Sequence, residues 1–149
     1  MAKRPSRQKL KGRKESGTFT AIPHAVQDSQ NWCRCGKNAR ALLTDIARQY
    51  NGKNNGDLCA AVTTMKAYGW KRGETLSNLL RELRHYGLLE MTRQGGLNRP
   101  SLYALTWQPI DECNGKLDCL PRHTASGEWK RTREKYQRQT HKKSKRHAA

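Results

Sequence analysis

Between residues 37 and 50 the apolar side chains recur as Ala39, Leu42, Leu43, Ile46, Ala47 and Tyr50, at spacings that gather them on one face of a helix. The spacing predicts a helix over 37–50, stopped by NGKNNG at 51–56, a run rich in residues that tolerate positive φ. Residues 57–68, DLCAAVTTMKAY, repeat Leu58, Ala61 or Val62, and Met65 at helical spacing, so a short second helix is expected there, closed by Gly69. A turn is expected over 70–73. A third helix then starts at Glu74 or Thr75, turns Leu76, Leu79, Leu80 and Leu83 inward, and ends at Gly87 after Tyr86.

Beyond Gly87 the helical period is lost. Residues 88–93 (LLEMTR) and 101–107 (SLYALTW) read as two strands, and the separator QGGLNRP at 94–100 has the composition of a hairpin turn. In the second strand Leu102, Ala104 and Thr106 alternate with Tyr103, Leu105 and Trp107, so one face is expected to pack on the helices while the other stays partly exposed. Residues 17–22, GTFTAI, alternate weakly and fit a short strand or an extended lead-in before Pro23. Residues 108–125 show no period and are read as an irregular extension.

Charge changes the picture at the two ends. The formal net charge is +18, and 14 of those charges fall within residues 1–14 and 126–149. With only 34% hydrophobic residues, a single core is expected within residues 18–107, flanked by a disordered basic arm over 1–17 and a disordered basic tail over 126–149. Blocks of like charge repel one another, bury no apolar surface, and gain free energy by displacing counterions from a polyanion. Nucleic acid is therefore the expected partner. A membrane is not, because neither end carries an apolar stripe beside its charges. The N-terminal charges precede no apolar run, so no signal peptide is read and the protein is expected in the cytoplasm, on the nucleoid if DNA is the partner.

The order helix, short helix, turn, helix ending in glycine, strand, glycine-bearing turn, strand resembles the winged helix-turn-helix family. The resemblance covers residues 39–107 and is most specific in GWKRGETLSNLLRELRHYGLLEMTRQGGLNRPSLYALTW. It implies a mainly α, α+β fold with a three-helix core and a β-hairpin wing, the third helix entering a major groove of double-stranded DNA and the wing lying on the backbone or an adjacent minor groove. It also implies a regulator or replication accessory of a mobile element, of the phage or plasmid type, in keeping with the small size and the lack of an effector domain.

The residues give an independent argument. With its leucines inward, the third helix leaves Thr75, Ser77, Asn78, Arg81 and Arg84 outward, and these include the donor and acceptor types that read base edges. Lys71 and Arg72 in the preceding turn suit phosphates, Arg93, Gln94, Asn98 and Arg99 surround the wing glycines, and Lys130, Arg131 and Arg133 add cations from the tail. Trp32, Trp70, Tyr103 and Trp107 are read as core or rim packing rather than as base-stacking platforms. The alternative partner is RNA or a host nucleoprotein complex that the protein inhibits or remodels. No heptad repeat imposes a dimer, so the oligomeric state stays open.

Catalytic chemistry has little to stand on. The chain shows no Gly-rich phosphate loop, no HExxH and no evident nucleophile and base pair, Cys59 sits in the expected second helix, and no cofactor is expected. Only a distant grouping such as Asp111, Glu112 and His123 remains as a source of catalysis. The five cysteines are read as reduced thiols; the alternative is a zinc site from Cys33, Cys35, Cys113 and Cys119 with His123 close behind, although neither spacing is the usual C-x2-C.

Overall fold

The computed structural model describes residues 17–139, so the basic arm before Gly17 and residues 140–149 of the tail lie outside the described residues. The described part is an α+β fold: α1 (His24–Gln27), α2 (Gln30–Arg34), α3 (Lys37–Ala47), β1 (Leu58–Cys59), α4 (Val62–Met65) continued by a 3-10 turn (Lys66–Tyr68), α5 (Gly73–His85), β2 (Leu89–Arg93) and β3 (Leu102–Leu105). No helix among them is long and apolar enough to cross a membrane.

The apolar face expected on α3 is buried in full, with Ala39, Leu42, Leu43, Ile46 and Ala47 all shielded from solvent. The helix stops at Ala47 rather than at Tyr50, because the N–H groups of Gln49 and Tyr50 reach back only three residues, to the carbonyls of Ile46 and Ala47, at 3.1 Å each. Two short helices precede it that no periodicity announced. Four and five residues are too few to show a 3.6-residue repeat, and the local signal is Ser29, whose hydroxyl accepts the Trp32 N–H at 3.2 Å as the cap of α2.

The expected second helix over 57–68 is corrected at its start. Leu58 and Cys59 are a strand, antiparallel to β3 with Leu58 opposite Tyr103 and Cys59 opposite Leu102, and the helix begins only at Val62. Pairing with β3 wins over the weak helical spacing because Leu58 is fully buried in extended form. The sheet therefore has three strands in the order β1-β3-β2, one more than the expected hairpin. β2 and β3 hold their register, Leu89 opposite Leu105 and Met91 opposite Tyr103, until a bulge between Met91 and Arg93.

The half-exposed second strand is also corrected: all four residues of β3 are buried. The segment 108–125, which no pattern assigned, folds back over the sheet. Asp118 donates its N–H to the Thr92 carbonyl at 2.9 Å, Ile110 and Arg122 bridge antiparallel, and Asn55 and Asp111 exchange two hydrogen bonds at 2.8 and 2.9 Å. The extended lead-in at 17–22 pairs with no strand.

One core unites these elements. Leu42, Leu43 and Ile46 of α3 join Leu76, Leu80 and Leu83 of α5, with Leu58, Met65, Leu89 and Leu105 in the same buried cluster. Each fully buried Leu or Ile contributes about 1.5–3 kcal/mol by leaving water. Trp32, Trp70 and Trp107 pack on its rim and Tyr103 is buried within it, so these aromatics serve the core.

Candidate nucleic-acid interface

The geometry of α5 begins with the turn before it. Gly69 takes φ of 90°, a left-handed conformation that a side chain would strain, and this lets the chain leave α4 sharply. The indole N–H of Trp70 then donates to the Asp45 carboxylate on α3 at 2.7 Å, which fixes the turn to the first long helix. Lys71 and Arg72, between Trp70 and the start of α5, are exposed. Glu74 in the first turn of α5 and Arg84 and His85 in its last turn match the helix dipole.

Leu76, Leu80 and Leu83 point into the core and Leu79 is half-buried, as the spacing requires. Thr75, Ser77, Arg81 and Arg84 are exposed on the other side; Asn78 is half-buried, its carbonyl oxygen 3.4 Å from an Arg81 guanidinium nitrogen. Arg81 and Arg84 also line a groove of about 510 Å3 between α5 and the start of β2, shared with Met91, Glu128 and Arg133. The helix and the hairpin therefore meet along one edge.

On the hairpin, two of the expected binding cations are also braces. The Arg93 guanidinium donates twice to the Pro100 carbonyl, at 3.0 and 3.3 Å, closing the neck. Arg99 pairs with Asp118 at 3.3 Å, and the same carboxylate accepts the Gln94 N–H at 2.9 Å. Gly96 and Arg99 exchange backbone hydrogen bonds at 2.8 and 3.1 Å, so the tip is a tight turn with Leu97 and Asn98 at its apex. Gln94, Asn98 and Arg99 are exposed.

The expected disordered tail is corrected for residues 126–139. This stretch is a strap across α2 and α5 that opens with a 3-10 turn (Glu128–Lys130) and then runs without regular secondary structure, anchored through its backbone. Asn31 is 1% exposed and gives its side-chain amide to the carbonyls of Tyr86 (2.9 Å), Trp129 (3.1 Å) and Arg131 (2.6 Å), while its oxygen accepts the Arg133 N–H at 2.9 Å. Gly127 donates to the Thr106 carbonyl at 3.0 Å, and Tyr136 donates its N–H to the Tyr86 hydroxyl at 2.9 Å. Trp129 and Tyr136 pack against the core. Those two aromatics in a lysine- and arginine-rich run were the available sequence signal for the strap.

Of the three cations expected to act from this tail, Lys130 and Arg131 are exposed, whereas Arg133 is half-buried and pairs with Glu128 at 3.1 Å. The next exposed cations along the strap, Lys135 and Arg138, are not legible as site residues from sequence, because nothing in the pattern brings them back to α5. Arg138 and Tyr136 line a second groove, of about 290 Å3, with Thr75, Asn78 and Glu82.

The alternative zinc site is not assembled. No cluster of three or more His, Cys, Asp or Glu that could hold a metal occurs among the described residues. Cys35 is buried in the main core while Cys33 and Cys119 are exposed, and Cys113, within the segment after β3, is half-buried with its sulfur 3.7 Å from the Asn55 carbonyl. Burial, and then the neighbouring Glu82 carboxylate, push the Cys35 thiol up to about 12, against a smaller opposing pull from Arg40. Compared with family models, with characterised proteins and with solved structures, the chain matches none.

Proposed function

We propose that the protein binds double-stranded DNA in the manner of a winged helix, with α5 in the major groove and the β2–β3 hairpin on the flanking backbone. One observation carries the reading: α5 commits its leucines to the core and presents Ser77, Arg81 and Arg84 to solvent beside the exposed Lys71 and Arg72. Hydroxyl and guanidinium groups on one helix face supply base-edge and phosphate contacts together. The braced hairpin supports it, since a tip held by Arg93 and Arg99 meets a phosphate backbone without first being ordered. Catalysis and cofactors have no part in this reading. Its cellular setting is the one the winged-helix resemblance implies, a regulator or replication accessory of a mobile element.

RNA is the competing partner, and the two duplexes differ where it matters. The major groove of A-form RNA is too deep and narrow to admit a helix. Anisotropy titrations with labelled duplex DNA and duplex RNA of one sequence separate them: the expected result is tighter binding to DNA, weakening steeply with salt. Replacing Arg81 and Arg84 by Ala lowers DNA affinity on the order of tenfold or more. Equal or tighter binding to the RNA duplex overturns the proposal.

A further inference from the structure

We propose that Asn51 is a site of spontaneous covalent modification, at which the Asn51–Gly52 step cyclises to a succinimide and opens to an isoaspartyl link that frees β1 from the end of α3. The inference does not depend on what the protein binds.

The chemistry is that of asparagine before glycine. The amide nitrogen of the glycine gives up its proton and attacks the side-chain carbonyl carbon, the bond from that carbon to Nδ2 breaks, and ammonia leaves with the proton. Water then opens the imide ring at either carbonyl, leaving a carboxylate beside an aspartyl or an isoaspartyl link. Glycine favours the attack because it carries no Cβ to stand in the way. The only co-reactant is water.

The sequence holds three such steps, Asn51–Gly52, Asn55–Gly56 and Asn114–Gly115, and the fold treats each differently. Asn55 is fully buried with its side chain in hydrogen bonds to Leu105, Gln108 and Pro109, and its carbonyl accepts the Asp111 N–H at 2.9 Å. A Cβ on Gly56 would stand 2.7 Å from the Leu117 side chain, so that step is crowded as well as dry. Cyclisation at Asn55 therefore waits for the sheet to open. Asn114 is exposed, but the Gly115 N–H, the group that must attack, donates to the Glu112 carbonyl at 3.1 Å.

Asn51 has neither restraint. Asn51 and Gly52 are exposed and border an open groove of about 320 Å3 beside residues 17–21, and a Cβ on Gly52 would meet nothing within 4 Å. Among the described residues none accepts the Gly52 N–H. The Lys53 N–H donates to Asn51 Oδ1 at 2.9 Å, which curls the side chain back along the Gly52 peptide and draws electron density from the carbon to be attacked.

The same loop holds a relay to the sheet. The Asn51 N–H donates to Asn54 Oδ1 at 2.8 Å, Asn54 donates to the Gln49 carbonyl at 2.9 Å, and Gln49 holds both backbone groups of Cys59 at 2.7 and 3.0 Å. An isoaspartyl link adds a methylene to the main chain and a negative charge to the loop, and it turns the acceptor of the Lys53 N–H into part of the peptide. Asn54 is then displaced from Gln49, and the clasp on β1 loosens.

The test ages the native full chain at about pH 8 and 37 °C, digests samples with trypsin and maps the products. Cleavage after Arg48, Lys53, Lys66, Arg93 and Lys116 puts the three asparagines in separate peptides, 49–53, 54–66 and 94–116. Peptide 49–53 is expected to gain deamidated product, mostly isoaspartyl, on the order of tenfold faster than 94–116 and faster still than 54–66. In concentrated urea the three rates are expected to come within about threefold of one another, because only the fold distinguishes the steps. Amide exchange at Cys59 should be several-fold faster in aged than in fresh protein, and Asn51→Gln, whose longer side chain cyclises far more slowly, should show no such change on ageing. Faster reaction at Asn55 or Asn114 in the native chain, or a native ranking that survives in urea, overturns the proposal. So does a native chain that forms no product in 49–53 while the urea sample does. Product at Asn51 with Cys59 exchange unchanged overturns the release of β1.

Discussion

Gln49 closes both backbone groups of Cys59, accepting its N–H at 3.0 Å and donating to its carbonyl at 2.7 Å. A side chain at the end of α3 thus does for β1 what a neighbouring strand would do, and it spares a two-residue strand an unpaired edge. Replacing Gln49 by Ala removes both bonds. The expected loss is about 2 kcal/mol in urea unfolding, with Gln49→Glu intermediate because it keeps only the acceptor.

Asn55 plays the corresponding part at the other end of the sheet. It is fully buried, its amide donates to the carbonyls of Leu105, Gln108 and Pro109 at 2.8–3.1 Å, and its oxygen accepts the Leu105 N–H at 2.8 Å. Asn55→Ala removes all four bonds and takes from the buried Leu105 N–H the acceptor it has here, and a cost of about 3 kcal/mol or more is expected. Asn54, whose side chain is tied to Gln49 and Asn51 in an exposed turn, serves as the control and is expected to lose well under half as much.

Gly87 marks where the strap crosses the end of α5. Its φ is 67°, and a Cβ there would stand 2.6 Å from the Glu128 carbonyl oxygen. Backbone cannot yield as a flexible side chain can, so Gly87→Ala is expected both to destabilise by about 2 kcal/mol and to lift the strap. Trypsin cleavage after Lys130 and Arg131 should accelerate in the variant well below its unfolding midpoint.

Alkaline pH should weaken the fold. The Cys35 thiol is raised to about 12 by burial, and burial also raises the Tyr103 hydroxyl and the Cys113 thiol. The unfolded chain gives up these protons first, so stability is full below about pH 9 and declines as pH rises from there toward 12. Urea midpoints at pH 7, 9 and 10.5 should fall in that order, and Cys35→Ala should flatten the upper part of the decline. In the native state at pH 8, alkylation should reach Cys33 and Cys119 well before Cys35, because the first two are exposed while Cys35 is buried and its thiol holds its proton more tightly than an ordinary one.

Part of this protein is decided locally. Leucines three and four residues apart made α3 and α5 legible, and glycines at 69 and 87 marked where helices stop, because period and turn chemistry depend on neighbours in the chain. Those leucines also define by elimination which α5 side chains face outward, so the candidate helix face could be read before any fold was known.

Features that depended on partners distant in sequence were invisible. Leu58 and Cys59 look helical until β3 pairs with them, and segment 108–125 acquires order only by closing over the sheet. The strap looks like free charge because its fixing points, Asn31 and Tyr86, lie 50 to 102 residues away from it. Composition records that a lysine or arginine is present; only the tertiary path decides which helix it stands beside, since a backbone hydrogen bond to a remote side chain leaves no periodic trace in the sequence.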